Sequence, residues 1–148
     1  MVWGGISVAD RTHLVIINGN LNAAQYRDRV IVPHVQPFMA QHGPGMLLQQ
    51  DNARPHVAQV VHAHLANQQI ETLPWPAVSP DLSPIEHVWD EVERRLRRRQ
   101  DPANLQQLAV ALQDIWNAIP QRQIQRVIHT MRRRCQAVIA ARGGHTPF

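Results

Sequence analysis

Residues 46–56 read MLLQQDNARPH. The first five form a short apolar run of the buried-strand type, and the run stops at Asp51. Pro55 suits a first helical turn, residues 57–66 continue as a helix, and residues 70–73 return as a brief strand. Strand, helix and strand in that order imply a parallel pair joined by a right-handed crossover. Asp51 then lies where a buried strand ends, which is where α/β sheets usually hold ligands. The same spacing suits Asp51 or Asn52 as a cap for the following helix, and spacing alone leaves both readings open.

Outward from that stretch, VWGGISV at 2–8 and HLVII at 13–17 are β-branched and flank the polar residues 9–12, so an antiparallel hairpin is expected. From Asn22 the pattern turns helical through Tyr26, Val30 and Phe38, with Pro33 and Pro37 expected to kink or break it and HGPG at 42–45 to end it. After the proline-rich loop PWPAVSPDLSP at 74–84, Ser83 and Pro84 open a helix whose apolar face is Ile85, Val88, Trp89, Val92 and Leu96. A further helix is expected from Asp101-Pro102, burying Leu105, Leu108, Leu112 and Trp116. The last starts near Pro120, buries Ile124, Val127, Ile128, Met131, Cys135 and Val138, and stops at Gly143. The order β-β-α-β-α-β-α-α-α is that of an α/β domain with a helical tail.

The chain has 148 residues, 44% of them apolar and 18% charged, which fits one domain with a real core and argues against disorder. Its single cysteine, Cys135, excludes an internal disulfide or a thiolate zinc cluster. No run reaches the roughly 18 apolar residues of a membrane span, and residues 1–20 show no charged-then-apolar leader. All 15 basic residues are arginines. Residues 1–86 hold four arginines against six acids, residues 87–148 eleven against five, and such a basic C-terminal portion suggests a polyanion partner.

Glu86 also has two local readings. Ser83-Pro84-Ile85-Glu86 fits an S-x-x-E capping box, and Glu86, Asp90 and Glu93 share one polar helix face of the kind solvent accepts.

QQDNARPH at 49–56 and PWPAVSPDLSPIEHVWDEVERRL at 74–96 resemble the catalytic domain of mariner-superfamily transposases. MVWGGIS at the start, GNLNAAQYRD at 19–28 and MRRRCQAVIAARGGHTPF at the end match in order, so the resemblance covers essentially the whole chain. Thirty-four residues separate Asp51 from Glu86, the interval of one major branch. The resemblance implies a DDE-type enzyme with an RNase H-like, retroviral-integrase-like core. It implies Mg²⁺ or Mn²⁺ held between three carboxylates, Asp51 and Glu86 being the second and third, and nicking of element ends followed by joining of the 3′-hydroxyl to target DNA. The first aspartate belongs to an earlier strand, ahead of the segment matching MVWGGIS. Asp10, the sole acid before residue 28, falls in the hairpin turn and matches nothing in the motif.

The expectation is therefore an RNase H-like core lacking its first, central strand. Residues 1–100 are the partial catalytic domain and 101–148 are helices packed on it. In the 3-2-1-4-5 strand order of such folds, a gap or makeshift pairing is expected between residues 2–8 and 46–50. The chain is expected to be inactive alone and to bind the cation weakly. The rival is a non-catalytic DNA-binding or assembly piece. DNA is the expected partner, with self-association, neither membrane nor small-molecule substrate, and a nuclear location.

Arg94, Arg95, Arg97, Arg98 and Arg99 form RRLRRR at a helix C-terminus; one or two would suit the helix dipole, and five in six residues suit phosphate contact. Arg132–Arg134 fit either account. Asn52 and His56, within the matched motif, are expected to line the site, and His87 to support the helix beside Glu86. Trp75, Trp89 and Trp116 fit packing, with base stacking as the alternative for Trp75.

Overall fold

The computed structural model describes residues 1–142 and 144. Its contacts divide the chain into two compact units, one of Met1–Gly4 with Val15–Val78, the other of Gly5–Leu14 with the chain from Ser79 onward.

In the first unit, β1 (Val2–Trp3) pairs antiparallel with β2 (Val15–Ile16), in the register Val2 to Ile16 and Trp3 to Val15. The hairpin is as expected, with strands far shorter than the β-branched runs. A polypeptide rod follows in three segments: α1 (Ala23–Tyr26), a π-helical stretch (Arg27–Val35) and α2 (Gln36–His42). Asn22 starts it with a reciprocal capping box, its side chain on the Gln25 N–H and the Gln25 side chain on its own. Pro33 does not break the rod as the sequence suggests. A proline lacks the N–H of an α-helical bond and clashes with the carbonyl four residues back, whereas the π register bonds five back, as Gln36 N–H does to the Ile31 carbonyl.

The helix expected from Pro55 starts later, as α3 (Gln59–Asn67). The flanking strands shrink to one parallel bridge between Leu48 and Thr72, made by Leu48 N–H to the Glu71 carbonyl (2.8 Å) and Leu73 N–H to the Leu48 carbonyl (2.9 Å). Ile17, Tyr26, Val30, Ile31, Val35, Val61 and Leu65 form the buried core, with Trp3, Leu48 and Ile70 packed against it. Among the described residues no bridge joins residues 2–8 to 46–50, and no other segment supplies a central strand. The expected gap is present, and side chains rather than a ladder tie the hairpin and the parallel pair to one core.

The second unit is helical. A 3₁₀ turn (Pro80–Leu82) leads into α4 (Pro84–Leu96), followed by α5 (Leu105–Ala118), α6 (Gln121–His129) and α7 (Met131–Ala140). Its buried apolar side chains include Val88, Val92, Ile115, Trp116, Ile119 and Ile124. Trp116 is fully buried, stacks on Trp89 at 5.1 Å between ring centroids, and donates its indole N–H to the Thr12 carbonyl at 2.9 Å.

Three expectations fail here. Helix α5 starts at Leu105, not Asp101-Pro102, because the Asn104 side chain caps it by accepting from Gln107 N–H, and Leu105 is 83% exposed. The final helix is two helices meeting at Thr130, whose hydroxyl bonds back to the Val127 carbonyl at 2.7 Å and competes with the helical ladder. Cys135, expected to be buried, is exposed. Gly143, the expected stop, and residues 145–148 of the closing motif lie outside the described residues.

Candidate functional site

Asp51 follows the bridge residue Leu48 and is exposed, with 66% of its side chain accessible. Its Oδ1 accepts from Ala53 N–H at 3.0 Å and lies 2.6 Å from His56 Nδ1. It does not cap α3: the N-cap there is Ala58, which has no side-chain cap, so a turn local to Asp51 takes the place of the capping reading. The neighbouring Asn52 donates its amide to the Trp75 carbonyl at 3.0 Å, tying the aspartate's turn to the proline-rich loop.

Behind His56 lies Tyr26, with ring centroids 4.4 Å apart. Tyr26 donates its hydroxyl to Gln50 Oε1 at 2.8 Å, and Gln50 Nε2 approaches the His56 carbonyl at 3.5 Å. Burial pushes the Tyr26 phenol well above its ordinary pKa, against an opposing hydrogen bond involving Trp3, and the Asp51 charge adds to the rise. Tyr26 is therefore a neutral donor. Periodicity gave Tyr26 only as a helix residue, and the sequence assigned neither it nor Gln50 to the site as a support. A buried tyrosine hydroxyl needs a partner, and that was the one available signal.

Glu86 lies in the second unit, exposed on the first turn of α4. The Ser83 side chain makes no cap hydrogen bond, and Glu86 N–H goes to the Ser83 carbonyl at 3.2 Å, so the reciprocal capping box is not formed. His87 stands near Asp90 (3.9 Å) and against Arg134. Burial, then the Arg134 charge, hold its imidazole below the ordinary pKa despite Asp90.

The arginine cluster is largely paired. Arg94 and Arg95 both bind the buried Glu91, Arg95 at 2.5 Å; Arg97 binds Glu93 at 2.6 Å; and Arg99 lies 3.6 Å from Asp114. Arg95 also donates to the Ala118 carbonyl at 3.1 Å. Among the described residues no ion pair or hydrogen bond engages the exposed Arg98 side chain. Arg134, which the sequence left undecided, is buried and donates to the Asp81 carbonyl and the Thr130 hydroxyl, both at 2.8 Å. Its neighbours Arg132 and Arg133 are exposed. Trp75 is half-buried. Asp10 occupies the hairpin turn, where its carboxylate accepts from Arg11 N–H at 2.8 Å.

Among the described residues no three His, Cys, Asp or Glu side chains surround a common point. As a single ligand Asp51 does fit a hydrated Mg²⁺, which takes oxygen donors, keeps several waters and needs few protein ligands.

The fold defines a class: it is RNase H-like, of the kind found in transposase catalytic domains. The structure superposes on that of the Mos1 transposase catalytic domain with raltegravir and Mg at a TM-score of 0.84, over 98% of this chain and 75% of that one, with 23% identity. A Mos1 transposase paired-end complex with the left transposon end also matches, with a TM-score of 0.75, 24% identity, and coverage of 89% and 39%. The family model described as DDE superfamily endonuclease matches residues 1–109, and the chain belongs to that family. It is 37% identical over 152 residues to the transposable element Tc1 transposase of Caenorhabditis elegans, covering 100% of this chain and 54% of that protein. The chain thus spans about half the length of the curated relatives it matches.

Proposed function

We propose that this chain carries part of the centre of a metal-dependent DNA cleavage and strand-transfer enzyme, with Asp51 and Glu86 as two of its three carboxylates. The observation that supports this most is Asp51 itself, which stands exposed three residues past the Leu48 bridge with Oδ1 held by the chain's own donors. Mg²⁺ or Mn²⁺, when bound, would activate the attacking hydroxyl and stabilise the leaving oxygen of an in-line displacement. Asp51 would present an oxygen to the cation while Asn52 fixes the turn. Glu86 would present its carboxylate from the first turn of α4.

DNA is the partner in this reading, reached through the 94–99 arginines, with a paired assembly of the kind named for Mos1 and a nuclear site of action. Because residues 1–148 offer two of the three carboxylates, the cation is held weakly and the chain by itself is inactive. A non-catalytic role in DNA binding or assembly is the second reading, supported by the exposed Arg98 beyond the end of α4.

Titration of the ¹⁵N-labelled chain with Mn²⁺ tests the ligand assignment. Paramagnetic broadening should begin at the amides of residues 51–53 and disappear in Asp51→Asn. Broadening unchanged by that substitution would remove Asp51 from the site.

A further inference from the structure

Two donors of the chain converge on one oxygen of Asp51. Ala53 N–H reaches Oδ1 at 3.0 Å and His56 Nδ1 at 2.6 Å, while among the described residues no hydrogen bond or ion pair reaches Oδ2. An aspartate this exposed would otherwise turn about its last bond at little cost; two bonds to one oxygen remove that freedom. An ionised carboxylate accepts and cannot donate, so His56 must carry its proton on Nδ1.

The imidazole is itself held. Its side chain is only 18% exposed and its ring lies against Tyr26, which is 1% exposed in the core of the first unit. The Tyr26 hydroxyl fixes Gln50, and the Gln50 amide leans on the His56 backbone. The fixed point of the arrangement is therefore the buried end of α1, and its loose end is the exposed carboxylate.

We propose that His56 is a positioning residue for Asp51: it locks Oδ1 so that Oδ2 alone is offered to a divalent cation, with Tyr26 and Gln50 as its fixed support. This rests on Asp51 being a metal ligand, as proposed above. Groups that hydrogen-bond a metal ligand typically change metal affinity by roughly 10- to 100-fold when removed.

The test uses the whole chain and Mn²⁺ as the probe. In metal-free protein, ¹⁵N shifts of the neutral His56 ring should show the Nδ1–H tautomer; an Nε2–H tautomer overturns the proposal whatever the metal does. His56→Phe keeps a ring against Tyr26 and removes the donor, and should weaken Mn²⁺ binding by roughly 10- to 100-fold. His56→Asn restores an N–H near the Nδ1 position and should return affinity to within about threefold of wild type. Equal affinity in wild type and His56→Phe, or an Asn variant as weak as the Phe variant, overturns the positioning role while loss of binding in Asp51→Asn leaves the ligand assignment standing. Binding that survives Asp51→Asn overturns both. Should His56→Phe fail to fold, the tautomer and the Asn variant still decide.

Discussion

Arg134 and Glu91 show how single charged residues can be structural in a chain whose charge suggests DNA. Arg134 is 5% exposed, and its guanidinium ties α7 to the Asp81 carbonyl ahead of α4. Replacing it by Met removes its hydrogen bonds to the part-buried Asp81 carbonyl and Thr130 hydroxyl, so Arg134→Met should lower unfolding stability by about 2 kcal/mol in a urea titration. Glu91 is the buried anchor of Arg94 and Arg95. Burial opposes its ionisation, but hydrogen bonds from Arg95 and Arg94 outweigh it and hold the carboxyl below its ordinary value of 4.5. A pKa depressed by folding gives stabilisation that is complete above the unfolded value and lost as pH falls through the folded one. The Tm of wild type should exceed that of Glu91→Gln near neutrality, and the two should converge as pH drops below about 4.5.

At the scale of elements, asparagine caps set where helices begin. Asn22 starts the first rod and Asn104 starts α5. Asn104→Ala should cost about 1 kcal/mol of stability, read by chemical denaturation, with the first turn of α5 exchanging its amides faster. The C-terminal end of α4 divides its arginines between two tasks. Arg95 is committed to Glu91 and to the Ala118 carbonyl, whereas Arg98 is exposed. Each phosphate contact contributes about −0.9 to the slope of log K against log salt. Arg98→Gln should make the slope for duplex DNA shallower by about 1, and Arg95→Gln should chiefly lower Tm. An unchanged slope for Arg98→Gln would return the cluster to a solvated helix end.

For the whole chain, the sparse ladder has a measurable consequence. Leu48 N–H and Leu73 N–H are bonded across the parallel bridge. These two amides should exchange slowly in deuterium oxide while the other amides of residues 46–50 exchange quickly; uniform strong protection across 2–8 and 46–50 would mean that a continuous sheet forms. The same chain, incubated with labelled duplex DNA and Mn²⁺ beside Asp51→Ala, should nick no more than that control. Nicking that the substitution abolishes would show a working centre within these 148 residues.

Element type and order, the helix start at Asn22, the family motifs and the Asp51–Glu86 interval were all legible in the linear pattern, because local propensity and spacing act within a few residues. The same pattern misplaced what depends on distant partners. Strand length needs neighbouring strands to pair with, so runs of five and seven β-branched and apolar residues became two-residue strands and single bridges. Whether Ser83 and Glu86 close a capping box depends on side-chain directions that spacing does not specify, and the Ser83 half is not made. The apolar period of the last helix ran through Thr130, but the helix is interrupted there, where the hydroxyl bonds back to the Val127 carbonyl, and Cys135 is exposed. The motif put His56 beside Asp51, but only the fold brought Tyr26 to Gln50 and His56, since side chains 24 and 30 positions apart meet by packing around a shared core, and no local periodicity encodes that meeting.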